Sequence, residues 1–121
     1  MSKKKVLVVD DSPTAMFMVT TILKREPYEV VKAHDGQQAV EVAVLERPDL
    51  ILMDVVMPGQ NGFQLTRAIT RDPRFVNVPV IMCTSKNQET DKVWGMRQGA
   101  RDYIVKPVDP NELMTKIRAF D

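Results

Sequence analysis

Leu50-Ile51-Leu52-Met53-Asp54 decides the fold: four aliphatic residues without a polar interruption, closed by a lone carboxylate. An unbroken apolar run of this kind reads as a strand whose sheet is covered by helices on both faces. Three further runs have the same form. Val6-Leu7-Val8-Val9 ends on Asp10-Asp11, Val80-Ile81-Met82-Cys83 on Thr84-Ser85, and Tyr103-Ile104-Val105 on Lys106-Pro107. The run from Tyr28 to Ala33 differs, because Glu29 and Lys32 interrupt it, and this suits an edge strand. If the strands are parallel, their polar endings all fall on the carboxyl edge, where open α/β sheets bind ligands. Asp10, Asp11, Asp54, Thr84 and Lys106 are thereby predicted to share one small site.

The segments between the runs have helical spacing. Ser12-Pro13 supplies an N-cap and a proline at the first helical position, followed by Met16, Val19 and Leu23 on one face. Asp35-Gly36 opens a second helix with Ala39, Val42 and Ala43 inward. A third spans about residues 62–71, with Leu65, Ala68 and Ile69 inward. A fourth spans about residues 88–98 with Val93, Met96 and Ala100 inward, leaving Trp94 to one side, and Gly99 stops it. Asp109-Pro110 opens the fifth, which turns Leu113, Ile117 and Phe120 to the core. Strand and helix alternate five times without repeat or low-complexity sequence, which predicts one α/β domain with a parallel sheet.

Bulk properties exclude several classes. The 121 residues suit one core, and 44% hydrophobic with 27% charged residues is ordinary for a soluble domain. A net charge of +1 gives no footprint for nucleic acid or an anionic membrane. Lys3, Lys4 and Lys5 precede only four apolar residues, short of the about 7–15 of a signal peptide. No stretch approaches the roughly 20 apolar residues of a membrane span. One cysteine cannot close an internal disulfide, so the cytosol is the expected compartment.

Three carboxylates in one small site repel. Two of them about 4 Å apart cost roughly 4 kcal/mol at an effective dielectric near 20. Lys106 offsets one charge and leaves a deficit of two, which a divalent ion fits. All-oxygen ligands favour magnesium, an ion that prefers sites shared with a phosphate. A carboxylate beside such an ion can attack phosphorus and form an acyl phosphate. Asp54 is the best candidate, with Met57-Pro58-Gly59 turning the loop beyond it. Lys106 and the Thr84 hydroxyl can then hold the phosphoryl oxygens.

Taken together, Asp10-Asp11, Asp54 with Met57-Pro58-Gly59, Thr84-Ser85, Gly99-Ala100 with Tyr103, and Lys106-Pro107 resemble the receiver domains of bacterial two-component signalling. The likeness runs over essentially the full length. It implies a flavodoxin-like, doubly wound five-stranded sheet in the order 2-1-3-4-5 with five helices. It also implies a receiver over residues 1–121 with no output domain. On this resemblance Asp54 would be phosphorylated, Asp11 and Asp54 would ligate Mg2+ directly, and Asp10 would act mainly through water. The Val56 carbonyl would be a further ligand, Thr84 and Tyr103 the switch pair, and Lys106 the phosphate-binding cation. On the same resemblance, Val56 and Lys86 would occupy positions that influence phosphoryl lifetime. The stretch Gln88 to Gly95, continuing through Arg97 to Tyr103, is most similar to stand-alone chemotaxis-type receivers that control twitching motility through type IV pili.

The implied partners are a histidine kinase and a protein effector docking on the fourth helix, fifth strand and fifth helix, with Trp94 and Tyr103 on that face. A monomer is expected, with neither nucleic acid nor membrane insertion. Rival readings are a phosphate sink and a magnesium-dependent aspartyl-phosphate hydrolase. Such hydrolases usually carry a second aspartate two residues after the nucleophile, where this chain has Val56. Cys83 reads as a small buried hydrophobe, and His34 receives no role.

Overall fold

The aliphatic runs become strands in the expected direction. In the computed structural model, residues 4–57, 60–85 and 88–120 are described. Pro58-Gly59 of the expected turn, and Lys86, lie outside them. The strands are β1 (Lys4–Val9), β2 (Tyr28–Ala33), β3 (Leu50–Met53), a short antiparallel pair β4 (Val56–Met57) and β5 (Gln60–Asn61), then β6 (Val80–Thr84) and β7 (Asp102–Val105). One parallel sheet of five strands runs β2-β1-β3-β6-β7. Counted along the chain without the small hairpin, that is 2-1-3-4-5, the flavodoxin-like order, and β2 with its charged interruptions is at the edge. Helices α1 (Pro13–Leu23), α2 (Gly36–Glu46), α3 (Gly62–Arg71), α4 (Glu89–Arg97) and α5 (Pro110–Arg118) complete the alternation.

Successive strand residues point to opposite faces, and the core divides accordingly. Val6, Val8, Leu50, Leu52, Ile81, Cys83 and Ile104 pack against Met16, Val19 and Leu23 of α1 and Leu113 and Ile117 of α5. The alternate residues Leu7, Val9, Ile51, Met53 and Val80 meet Ala39 and Ala43 of α2 and Leu65 and Ile69 of α3. Alanines on α2 let its backbone lie close to the sheet. Ser12 and Asp35 cap α1 and α2 by accepting from the amides of Ala15 and Gln38, and Asp109 caps α5 through Asn111. Gly99 ends α4 at φ 106, where a side chain would strain the backbone. Among the described residues, no helix is long and apolar enough to cross a membrane.

Two inward faces differ from expectation. On α3, Ala68 is exposed, whereas Phe63 and Thr66 are buried. On α4, Val93 and Met96 are 45% and 47% exposed, as is Trp94 at 50%, and the buried residue is Gly95. The cause is the seat beneath it. A Cβ on Gly95 would stand 2.7 Å from Met82 Sδ and 3.3 Å from the Tyr103 ring. With the bare backbone of Gly95 against those side chains, the apolar residues beside it are turned outward. Ala100 is buried as expected, in a small cluster with Val55, Phe63, Met82 and Tyr103.

Candidate functional site

The sheet ladder carries the polar residues to one edge. Beyond the strand ends, the Asp10 amide donates to Ala33 O at 3.1 Å, the Asp54 amide to Val9 O at 3.0 Å, and the Lys106 amide to Thr84 O at 2.8 Å. Each side chain therefore starts from backbone that is still part of the sheet. Asp10, Asp54 and Lys106 continue the alternation that points toward α1 and α5, while Thr84 follows Met82 toward α4.

Asp10 is 3% exposed and Asp54 5%, so both charges are nearly out of water. Lys106 Nζ lies 2.5 Å from Asp10 Oδ2 and 3.4 Å from Asp54 Oδ2. The other Asp10 oxygen accepts from the Ser12 amide at 2.9 Å. Asp10 is thus engaged through both oxygens, one by ammonium and one by backbone. Burial works against the charge on Lys106, but the Asp10 hydrogen bond and the Asp54 charge outweigh it and raise its pKa. The ammonium is held firmly. The Lys106–Pro107 peptide bond is cis.

Asp11 completes the cluster as its most exposed member. One oxygen from each of Asp10, Asp11 and Asp54 lies within 4.8 Å of the others. Three negative charges against one ammonium leave an excess of two, and every ligand atom is a hard oxygen. That donor set fits a divalent cation such as magnesium. Asp10 is held through both oxygens, and Lys106 reaches Asp54 as well.

Asp54 is also held from behind. Asn61 caps α3 by accepting from the Phe63 amide at 2.8 Å, and the Gly62 amide donates to Val55 O at 3.1 Å. A Cβ on Gly62 would lie 2.3 Å from Asp54 O, so glycine permits this approach. Nothing in the residue spacing announced that role; an Asn-Gly pair soon after a candidate nucleophile is the signal that could have found it.

Thr84 is fully buried at the end of β6, and β7 carries Tyr103 beside Met82. Tyr103 is 7% exposed, with its hydroxyl pKa pushed up to about 12 by burial and by the Asp91 and Asp54 charges. The ring therefore lies beneath α4 instead of on the partner face where it was expected. Of the two residues expected there, Trp94 is at the surface, flanked by Val93 and Met96. Cys83, on the opposite face of β6, has its thiol pushed up to about 12, chiefly by burial, and is inert. Val56 lies in β4, two residues beyond Asp54.

Residues 6–118 match the family described as response regulator receiver domain. Protein PilH of Pseudomonas aeruginosa is 53% identical over 115 residues, covering 95% of each chain. The phosphate regulon transcriptional regulatory protein PhoB of the same species is 41% identical over 96% of this chain and 51% of its own length. Among solved structures, the Vibrio cholerae chemotaxis protein CheY4 superposes with a TM-score of 0.91 at 34% identity, covering 98% of this chain and 99% of that one.

Proposed function

The chain belongs to the response regulator receiver family, a class of signalling switches, and on that premise we propose that Asp54 is its phosphoryl acceptor. One observation carries the reading: a nearly buried carboxylate, 3.4 Å from a raised-pKa ammonium, stands in an acidic cluster suited to a divalent cation. An Asp54 oxygen attacks the phosphorus of a phosphohistidine on the kinase. The O–P bond forms as the P–N bond breaks, and its electron pair returns to the imidazole. Lys106 turns from Asp54 to the new phosphoryl oxygens and stays anchored by Asp10, so the developing charge meets a cation already in place. Asp11, Asp54 and the Val56 carbonyl would hold Mg2+, with Asp10 contributing through water. The ion, when bound, neutralises the excess negative charge that would repel an incoming phosphoryl group.

The switch follows from Thr84 and Tyr103. The Thr84 hydroxyl moves toward the phosphoryl oxygens and opens space behind it. Tyr103 already occupies the inner position, so phosphorylation fixes that position and with it the set of α4. Docking on α4, β7 and α5, with Trp94 as anchor, then depends on the state of Asp54. The 53% identity with PilH, together with the resemblance to twitching-motility receivers, supports a switch in chemotaxis-like control of type IV pili, and we take it to act as a monomer in the cytoplasm.

The test is incubation with magnesium and acetyl phosphate or a candidate histidine kinase, followed by intact-mass measurement. The chain should gain one phosphate, and Asp54→Asn none while keeping its fold. Stoichiometric labelling of Asp54→Asn would overturn the assignment. Thr84→Ala should be labelled but lose phosphorylation-dependent partner binding.

A further inference from the structure

At the end of the sheet opposite Asp54, Arg71, Arg97 and Arg101 line one groove of about 330 Å3, with Thr70, Phe75 and Val76 among its other walls. That volume is at the lower end of the roughly 300–1,000 Å3 typical of small-molecule sites. Arg71 is in the last turn of α3, Arg97 in the last turn of α4, and Arg101 immediately precedes β7. Two helix C-termini would attract cations here on their own. Each carries about −0.5 elementary charge, so the pair amounts to about −1. Three guanidiniums bring +3, and 3 − 1 leaves about +2 unopposed.

The local groups do not absorb this excess. Terminal carbonyls of both helices already accept other donors: Asp72 N reaches Ile69 O at 3.1 Å, Gly99 N reaches Met96 O at 3.1 Å, and Thr70 Oγ1 reaches Gln98 O at 2.8 Å. Among the described residues, no carboxylate lines the groove and none of the three arginines forms a salt bridge. Asp72, the nearest acid in sequence to Arg71, is taken by Arg74, whose Nη2 lies 2.7 Å from Asp72 Oδ2. The excess charge also has an apolar neighbour, because Val76 is exposed beside it.

We propose that this groove binds a small soluble phosphate monoester, of which a nucleoside monophosphate is the representative probe. Such a group carries about −1.5 to −2 at pH 7 and three acceptor oxygens, which matches the local excess. Guanidiniums suit it because their planar forks bond phosphate oxygens in pairs. Val76 then meets the apolar part of the ligand. The site is independent of Asp54, being at the opposite edge of the sheet.

The experiment titrates the isotopically labelled full chain carrying Asp54→Asn with adenosine monophosphate, at low salt and without divalent ions, following amide shifts. Saturable shifts at residues 70–76 and 97–101 are expected. Arg71→Ala or Arg97→Ala should weaken binding about tenfold each, and replacing all three arginines should abolish saturation. Inorganic phosphate should bind more weakly than the nucleotide, and adenosine should not bind. The exposed arginines leave the fold intact, which the same amide spectra verify. Shifts that do not saturate, shifts centred on Asp10 and Lys106, or unchanged affinity in the triple variant would overturn the proposal. So would equal affinity for inorganic phosphate, or saturation by adenosine.

Discussion

α3 and α4 flank the same acidic edge, and each comes close to its neighbour through a glycine, yet the two contacts differ in kind. At Gly62 a Cβ would meet backbone, Asp54 O at 2.3 Å and Val55 Cα at 2.6 Å. At Gly95 it would meet side chains, Met82 Sδ at 2.7 Å and Tyr103 carbons at 3.3 and 3.4 Å. Backbone within a sheet edge cannot yield, whereas a thioether and a phenol ring change rotamer. α3 is therefore fixed to the segment that carries Asp54. α4 rests on adjustable groups, burying Gly95 and leaving Val93, Trp94 and Met96 outside. A switch of the proposed kind, which keeps its site geometry while changing a surface, needs one helix of each sort.

The sharpest way to break this contrast is Gly62→Ala. It should cost about 3 kcal/mol or more, because overpacking against fixed backbone has no relief. Chemical denaturation measures it, and an unchanged midpoint would show that the α3 contact yields as readily as the α4 one. Next is Lys106→Met, which leaves Asp10 and Asp54 buried without their cation. A loss of about 2 kcal/mol is expected without metal, less than for a fully enclosed pair because the lysine side chain keeps 18% exposure. Magnesium should restore part of it, and a variant as stable as the parent would mean that Lys106 does not balance this edge.

Alkaline titration probes both regions together. Cys83, Tyr103 and Lys106 all bind their protons more tightly in the fold than in an unfolded chain. Stability gained this way is whole below the unfolded values of 9.0, 10.0 and 10.5, and it is lost as pH rises through the folded ones, about 12 for Cys83 and Tyr103. Stability should thus begin to fall near pH 9, and Cys83→Ala should delay that onset by about one unit, to where Tyr103 begins. An unmoved onset in denaturation curves across pH would remove Cys83 from this account. The smallest effect is expected from Gly95→Ala. Added helix propensity of about 1 kcal/mol opposes mild overpacking, so net stability should stay within about 1 kcal/mol of the parent. The near-ultraviolet dichroism of Tyr103 should change nonetheless. A loss as large as that of Gly62→Ala would erase the distinction between the helices.

Much of this was legible beforehand. Strand runs, the edge position of β2 and the caps at Ser12, Asp35 and Asp109 follow from local chemistry, and the structure agrees. Asp10, Asp11, Asp54 and Lys106 were brought together by one rule, that parallel strands share a carboxyl edge. The inward face of α4 was misread for a physical reason. Periodicity counts apolar side chains, and it selected Val93 and Met96, whereas the contact is made by a residue with no side chain. Ala68 failed similarly on α3, since a small residue satisfies the apolar pattern without any need of burial. The buried seat of Tyr103 depends on Gly95 one element earlier, a long-range fit that no local pattern encodes.

The backbone bonds beyond the strand ends bear on how this molecule would come apart. Because the Asp54 amide is donated to Val9, its hydrogen is locked into the central ladder and exchanges only when the sheet itself opens, while that of Asp10 is held by Ala33 of the edge strand β2. Among the described residues, α4 makes no backbone hydrogen bond to the sheet, its C-cap carbonyl at Gln98 being held by the Thr70 hydroxyl, and it is expected to open at lower free energy. Partial unfolding would then strip away the proposed docking surface first while Asp54, the proposed acceptor, stays assembled, so a damaged or heated molecule would lose its message before its chemistry.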